Sequence, residues 1–414
     1  MSWPRIMHFD ARPYMAKPSD HRPALDGVRG IAILAVFLFD CLKLPEGGAI
    51  NFVLRKASSA GWIGVDLFFV LSGFLITGIL LDSRGRRGYL SSFFARRSLR
   101  IFPLYFLALW TTFILLPQLA ELAPIARPAA ENVAVLAKSQ AWFWMYLQNW
   151  WMAVEGRWPE VNYLNHFWSL AVEEQFYLIW PFIVGWLSTR GLTRLCWACV
   201  VAALALRTGL ALNGSPVVVL SVTTITRIDS LCLGALFAIG LRSPVWSARL
   251  TRCLWPAMTV LAIGIVAVDA VWPVLKTQTT AAHTAGHTLL GLLFGGFVFT
   301  AAALKPDHPV ARILAQPWLT LPGQFSYAMY VMHRPAHKLV LRVDWSFIPT
   351  AVQPFAIFAA TLGASLACAA VSWKFFEKPF LLLKAWFPRP GAEARPGREA
   401  ISTVSPGSMA SAGF

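Results

Sequence analysis

The chain has 414 residues, of which 57% are hydrophobic and only 14% charged, with a formal net charge of +16. So apolar a composition excludes an ordinary soluble domain. The excess of positive charge does not indicate nucleic acid, because the Lys and Arg residues fall in short loops between apolar runs rather than on one soluble face.

Residues 1–24 carry Arg5, Asp10, Arg12, Lys17, Asp20 and Arg22 and have no apolar core, so they read as a cytoplasmic tail and not as a cleavable signal peptide. Beyond them the pattern predicts spanning helices over 25–44, 61–82, 99–117, 166–188, 194–212, 226–241, 253–272, 283–304, 323–343 and 353–381. The expected fold is all-α: a polytopic integral membrane protein with about ten transmembrane helices filling 25–383. A Pro-, Gly- and Ser-rich tail over 384–414 is expected to be disordered. Basic loops follow every second span, as in Arg84, Arg86, Arg87, Arg96 and Arg97. The positive-inside rule then places both termini in the cytoplasm and the chain in the cell's inner (plasma) membrane. The Trp-rich stretch 133–152 is left to span, re-enter or lie flat.

In the first span Arg29 and Asp40 are eleven residues apart, almost three turns, so both point the same way about 16 Å apart along the axis. Arg29 could snorkel and Asp40 could cap the helix, but two charges on one face of an apolar helix favour a functional reading. The second span buries a further acid, Asp66, while Ser72 and Gly73 read as close-packing residues. At the start of the third, Arg97 and Arg100 stand one turn apart, suited either to phosphate oxygens or to simple anchoring.

The fourth span opens with the most informative run, His166 to Tyr177. His166, Ser169, Glu173 and Tyr177 share a helix face, and Glu173 and Glu174 put two carboxylates in an apolar segment. Cys196 and Cys199 in the fifth span read as packing residues rather than a zinc or redox pair. Arg227 and Asp229 in the sixth form either a local ion pair or a polar site. His283 and His287 stand one turn apart without an evident third ligand, so no metal is expected. Ser326, Tyr327, Tyr330 and His333 follow one another at helical spacing in the ninth.

Six of these segments (Leu25–Gly30, Gly61–Leu75, Arg96–Tyr105, His166–Pro181, Arg227–Gly234 and Ser326–His333) occur in the order found in the acyltransferase 3 family of integral membrane acyltransferases, which the chain resembles over nearly its whole length. The resemblance implies a membrane O-acyltransferase with no cofactor. Its donor would be cytoplasmic acyl-CoA and its acceptor a hydroxyl on a surface carbohydrate or related glycolipid. It implies Asp40, His166 and Glu173 as catalytic residues. Arg29, Arg97, Arg100, Asp66, Glu174, Tyr177 and His333 would bind substrates.

One departure stands out. The family's first span carries Arg, ten residues, then a His regarded as the base; here Arg29 is followed by Asp40. Asp40 is then itself the base, or it orients His166, or the site is silent. A transporter or flippase of glycan or lipid, with acids that carry protons, is the alternative from another class.

Overall fold

A computed structural model describes residues 22–122, 127–159, 163–276 and 279–388. Those residues are helices and connecting turns, with no strand among them. Hydrocarbon dictates this, because a helix satisfies all its backbone hydrogen bonds within one segment.

Each predicted span has a helical counterpart. In chain order these are α1 (Pro23–Cys41), α2 (Ile63–Ser83), α3 (Tyr89–Trp110), α4 (Phe167–Trp186), α5 (Thr189–Leu212), α6 (Thr224–Arg242), α7 (Pro244–Val271), α8 (His287–Ala303), α9 (Ser326–Val340) and α10 (Gln353–Ser372). Only seven helical stretches among the described residues are both long and apolar enough to cross a membrane, so length and composition support seven spans and not ten. The three helices outside that set are α1, α4 and α9. Asp26, Arg29 and Asp40 interrupt α1, Glu173 and Glu174 interrupt α4, and α9 has only 15 residues. The polar residues that lower their hydropathy are the ones singled out above as candidates for chemistry.

The stretch 133–152 does not form a continuous span. It breaks into the end of Arg127–Ala137, then Gln140–Trp144 and most of Gln148–Glu155. Tyr146, between the last two, has φ 56°, a left-handed conformation that side chains other than Gly rarely adopt. Stacking of its ring on Tyr105, with centroids 4.0 Å apart, holds it there.

Small residues let the central helices touch. A Cβ on Gly73 of α2 would lie 1.9 Å from the Leu231 carbonyl oxygen, and one on Gly234 of α6 would lie 2.0 Å from that of Val70. The expected close-packing role of Gly73 therefore holds. Around this core the outward faces are apolar, with Leu178, Ile179 and Phe182 of α4 and Val260, Ile263 and Val266 of α7 all more than half exposed.

The predicted tails lie almost wholly outside the described residues. The first five residues of the C-terminal one, 384–388, are anchored against α3. Arg96 donates to the carbonyls of Lys384 and Phe387 (3.2 and 3.1 Å), and Ser92 donates to that of Pro388 (2.9 Å).

Candidate active site

α1, α3, α4, α9 and the foot of α10 bring their polar faces together, and the result is a column of charged and hydroxyl groups inside the apolar bundle. At one end stand three guanidinium groups, Arg29 on α1 and Arg97 and Arg100 on α3. The charges acting on Arg100 are Arg29, Arg97, Asp26 and Glu377. Asp26 pairs with Arg29 at 3.1 Å. Glu377 lies in a wide helical turn, Trp373–Glu377, just after α10, and accepts from Ser372 at 3.0 Å. Wide turns of this kind are common where a side chain must be re-aimed. Sequence reasoning missed Glu377, whose surroundings look like an ordinary helix end.

The middle belongs to α4. Ser72 of α2 donates to Glu173 Oε1 at 2.5 Å, so this serine does more than pack. Arg97 lies over the Tyr177 ring with its Cζ 3.8 Å from the centroid, a cation–π contact, and acts electrostatically on both Glu173 and Glu174. Three buried polar atoms here have no hydrogen-bond partner, Arg97 Nε, Glu174 Oε1 and the Tyr177 hydroxyl. A donor and an acceptor left over side by side suit a polar guest. Tyr330 of α9 links this layer to the next, since both Glu173 and Asp40 act on it.

The far end is built on α1, α9 and the residue before α4. His333 Nε2 lies 2.9 Å from Asp40 Oδ2, while its Nδ1 lies 2.6 Å from the Tyr330 carbonyl. Arg334 completes the cluster, its Nη2 donating to Asp40 Oδ1 at 2.9 Å and its Nε to Oδ2 at 3.2 Å. The His166 ring stands against that of His333, centroids 4.7 Å apart. Neither nitrogen of His166 has a well-formed hydrogen bond. Ser169 and Tyr330 share a 2.7 Å hydroxyl contact beside it, and both oxygens lie within hydrogen-bond reach of the His166 carbonyl, so one donates to that carbonyl and the other either joins it or donates across the pair.

Asp40 therefore contacts His333 and Arg334; it makes no hydrogen bond to His166. Both neighbours of the His333 ring, a carbonyl and a carboxylate, only accept. The two contacts thus need two ring protons, or one ring proton and one on the carboxyl. That contact needs a proton between Nε2 and Oδ2, whereas neither ring nitrogen of His166 makes a well-formed hydrogen bond. Arg334 was missed because a basic residue near a helix end reads as an interfacial anchor.

Asp66 stands apart from this column. Its buried carboxylate accepts from Arg227 Nη2 at 2.5 Å and faces His287 Nδ1 at 3.0 Å. His287 Nε2 meets Arg227 Nη1 (2.7 Å) and His283 Nδ1 (3.0 Å). Arg227 and Asp229, one of the open pairs above, choose different partners: Asp229 binds Arg207 at 2.6 Å and Thr288 at 2.7 Å. Arg207, fully buried in α5, also donates to the Thr226 carbonyl. These groups join α2, α5, α6 and α8 through paired charges. Cys196 and Cys232 lie fully buried in the same region, as packing residues.

A helical membrane protein with a charged column closed off from lipid is the class that fold and site define. The Acyl_transf_3 family, described as an acyltransferase domain, matches residues 22–374, and the chain belongs to that family. Among curated proteins it is similar to "Putative O-acetyltransferase SAS0844" of Staphylococcus aureus (strain MSSA476), 26% identical over 88% of this chain and 58% of that one. It is also similar to "O-acetyltransferase OatA" of Staphylococcus aureus (strain NCTC 8325 / PS 47), 24% identical over 86% of this chain and 57% of that one. The chain thus spans less than two thirds of the relatives' length. No solved structure matches it.

Proposed function

We propose that the protein is a membrane O-acyltransferase that takes an acyl group from acyl-CoA at the Arg29–Arg97–Arg100 end and passes it to a hydroxyl at the Asp40 end. The acceptor is a surface carbohydrate or a related glycolipid. In this reading α1 to α10 all cross the bilayer, and both termini face the cytoplasm. The helices α1, α4 and α9 span despite their polar residues because those residues face the column and not the lipid. The observation that carries the proposal is the run of buried contacts from Arg97 over Tyr177 and Ser72 with Glu173, through Ser169 with Tyr330, to His166 against His333 and Asp40.

The guanidiniums pair with the donor's phosphates. The orphaned Arg97 Nε and Glu174 Oε1 meet the amides of its pantetheine arm. Near the far end a nitrogen of His166 takes the proton as the acceptor oxygen attacks the thioester carbonyl. The hydroxyls of Ser169 and Tyr330 turn from the His166 carbonyl to donate to the resulting oxyanion. The carbon–sulfur bond then breaks, the ester leaves on the acceptor, and the thiolate regains a proton from the His166 and His333–Asp40 group. Asp40 is a positioning residue that holds His333 and Arg334.

The test is transfer of label from radiolabelled acetyl-CoA to a hydroxyl-bearing sugar by the protein in proteoliposomes. Proton-coupled movement of sugar across the vesicle membrane without ester formation would instead fit the transporter reading. One observation favours a silent site: Asp40 is fully engaged by His333 and Arg334 and has no oxygen left over. Turnover by the wild-type chain decides against that.

A further inference from the structure

A cleft of about 360 Å³ opens at the Asp40 end of the bundle, between the chain leaving α1, the end of α9 and the start of α10. Its lining begins at Cys41, the residue after Asp40, and includes Lys43, His337, Thr350 and Gln353 among apolar side chains. A volume of this order suits a ligand about the size of one or two sugar rings.

The one charged side chain in its lining is basic. Lys43 is exposed, and its ammonium donates only to the neutral Phe39 carbonyl (2.8 Å), so its charge is not cancelled. Lys338 and Arg342 follow on α9 and the turn beyond it, while Arg334 is paired with Asp40. Near the cleft, Asp40 is paired with His333 and Arg334 and Glu46 with Arg55 at 3.1 Å, while Asp344 accepts from the neutral Ser346 at 2.9 Å and keeps its charge. Asp40, Lys43 and His333 all act on His337, which ties the cleft electrostatically to the end of the column. Basic residues belong by preference on the cytoplasmic side of a membrane protein, so a cluster at the opposite end from Arg97 and Arg100 calls for another reason.

We infer that this cleft holds an anionic group, a carboxylate or phosphate, carried by the acyl acceptor. The inference rests on the acyltransferase reading and adds the acceptor's charge to it. Lys43 and His337 meet the anion, Thr350 binds a ring hydroxyl, and the apolar wall covers the ring face. The amide nitrogen of Gln353 is held by the Trp345 and Ile348 carbonyls, which leaves its oxygen to accept from a second hydroxyl.

The experiment measures binding to the full chain in phosphatidylcholine nanodiscs, with no acyl donor present. The probes are methyl glucuronoside and methyl glucoside, which differ only in the carboxylate. The glucuronoside is expected to bind about tenfold more tightly, to weaken as salt is raised, and to lose that advantage in Lys43→Glu, with Lys43→Gln intermediate. Equal binding of the two sugars, or unchanged binding in Lys43→Glu, overturns the inference. So does a signal that follows added phosphatidylglycerol instead of the sugar, because the basic cluster would then serve lipid headgroups. Acyl transfer to neutral sugars with no preference for the acidic one would also sink it, while leaving the acyltransferase reading in place.

Discussion

Asp40 Oδ2 and His333 Nε2, 293 residues apart in sequence, lie 2.9 Å apart, and Arg334 holds the other carboxylate oxygen at 2.9 Å. The acid that stands where the family's first helix carries a histidine is thus supplied with one from α9. In the proposed reaction a carboxylate and an imidazole on facing helices share the proton that a single histidine would otherwise carry.

Asp40→Asn removes the acceptor of that shared proton and the partner of Arg334. Acyl transfer is expected to fall by about 10²-fold or more, the range of a proton-handling group. Asp40→His returns the family's residue but places a second imidazole beside His333 and strips Arg334 of its carboxylate, so it is expected to lower transfer as well. Single-turnover transfer in proteoliposomes reads both; a large gain in Asp40→His would mean that the native site is silenced.

His166→Gln keeps a polar side chain and removes the free imidazole. Transfer is expected to drop about 10²- to 10⁴-fold while binding of labelled acetyl-CoA stays within about twofold. Parallel loss of binding would mean that His166 shapes the donor site instead.

Arg97→Ala and Arg100→Ala each remove a charged contact at the other end, for which a loss of about tenfold in donor affinity is expected. Arg97→Lys keeps the charge but not the planar stack on Tyr177 and should recover only part of it. Equilibrium binding of acetyl-CoA separates these; full recovery by Lys would reduce Arg97 to a simple anchor.

Asp66→Ala leaves the buried Arg227 without its carboxylate. A destabilisation of about 3–5 kcal/mol is expected, read as a lower unfolding temperature in detergent and poor yield. His166→Gln should leave the unfolding temperature near wild type. A stable Asp66→Ala protein with wild-type thermal behaviour but no donor binding would return Asp66 to the substrate site.

Gly73→Val tests the seam between α2 and α6. With the Leu231 carbonyl oxygen only 1.9 Å from a Cβ built there, the helices must separate. Failure to accumulate folded protein is expected; a well-folded variant would mean that the seam is loose.

Much of this was legible in the chain itself. The apolar runs announced the helices because a bilayer forces backbone polar groups to bond within their own segment. Helical periodicity put His166, Ser169, Glu173 and Tyr177 on one face, and the Arg97–Arg100 spacing put two guanidiniums at one level, because both relations lie within a few turns of a single helix.

Partners on different helices could not be read that way. Position 40 announced a departure but not its remedy, since His333 and Arg334 reach Asp40 only once α1 and α9 lie side by side. Asp66 looked equivalent to Asp40, an acid near the same end of a neighbouring span, yet it faces α6 and α8 and is taken up by Arg227 and His287. A helix declares which residues share its face; which other helix that face meets is set by the close packing of small residues such as Gly73 and Gly234, a property of the whole bundle.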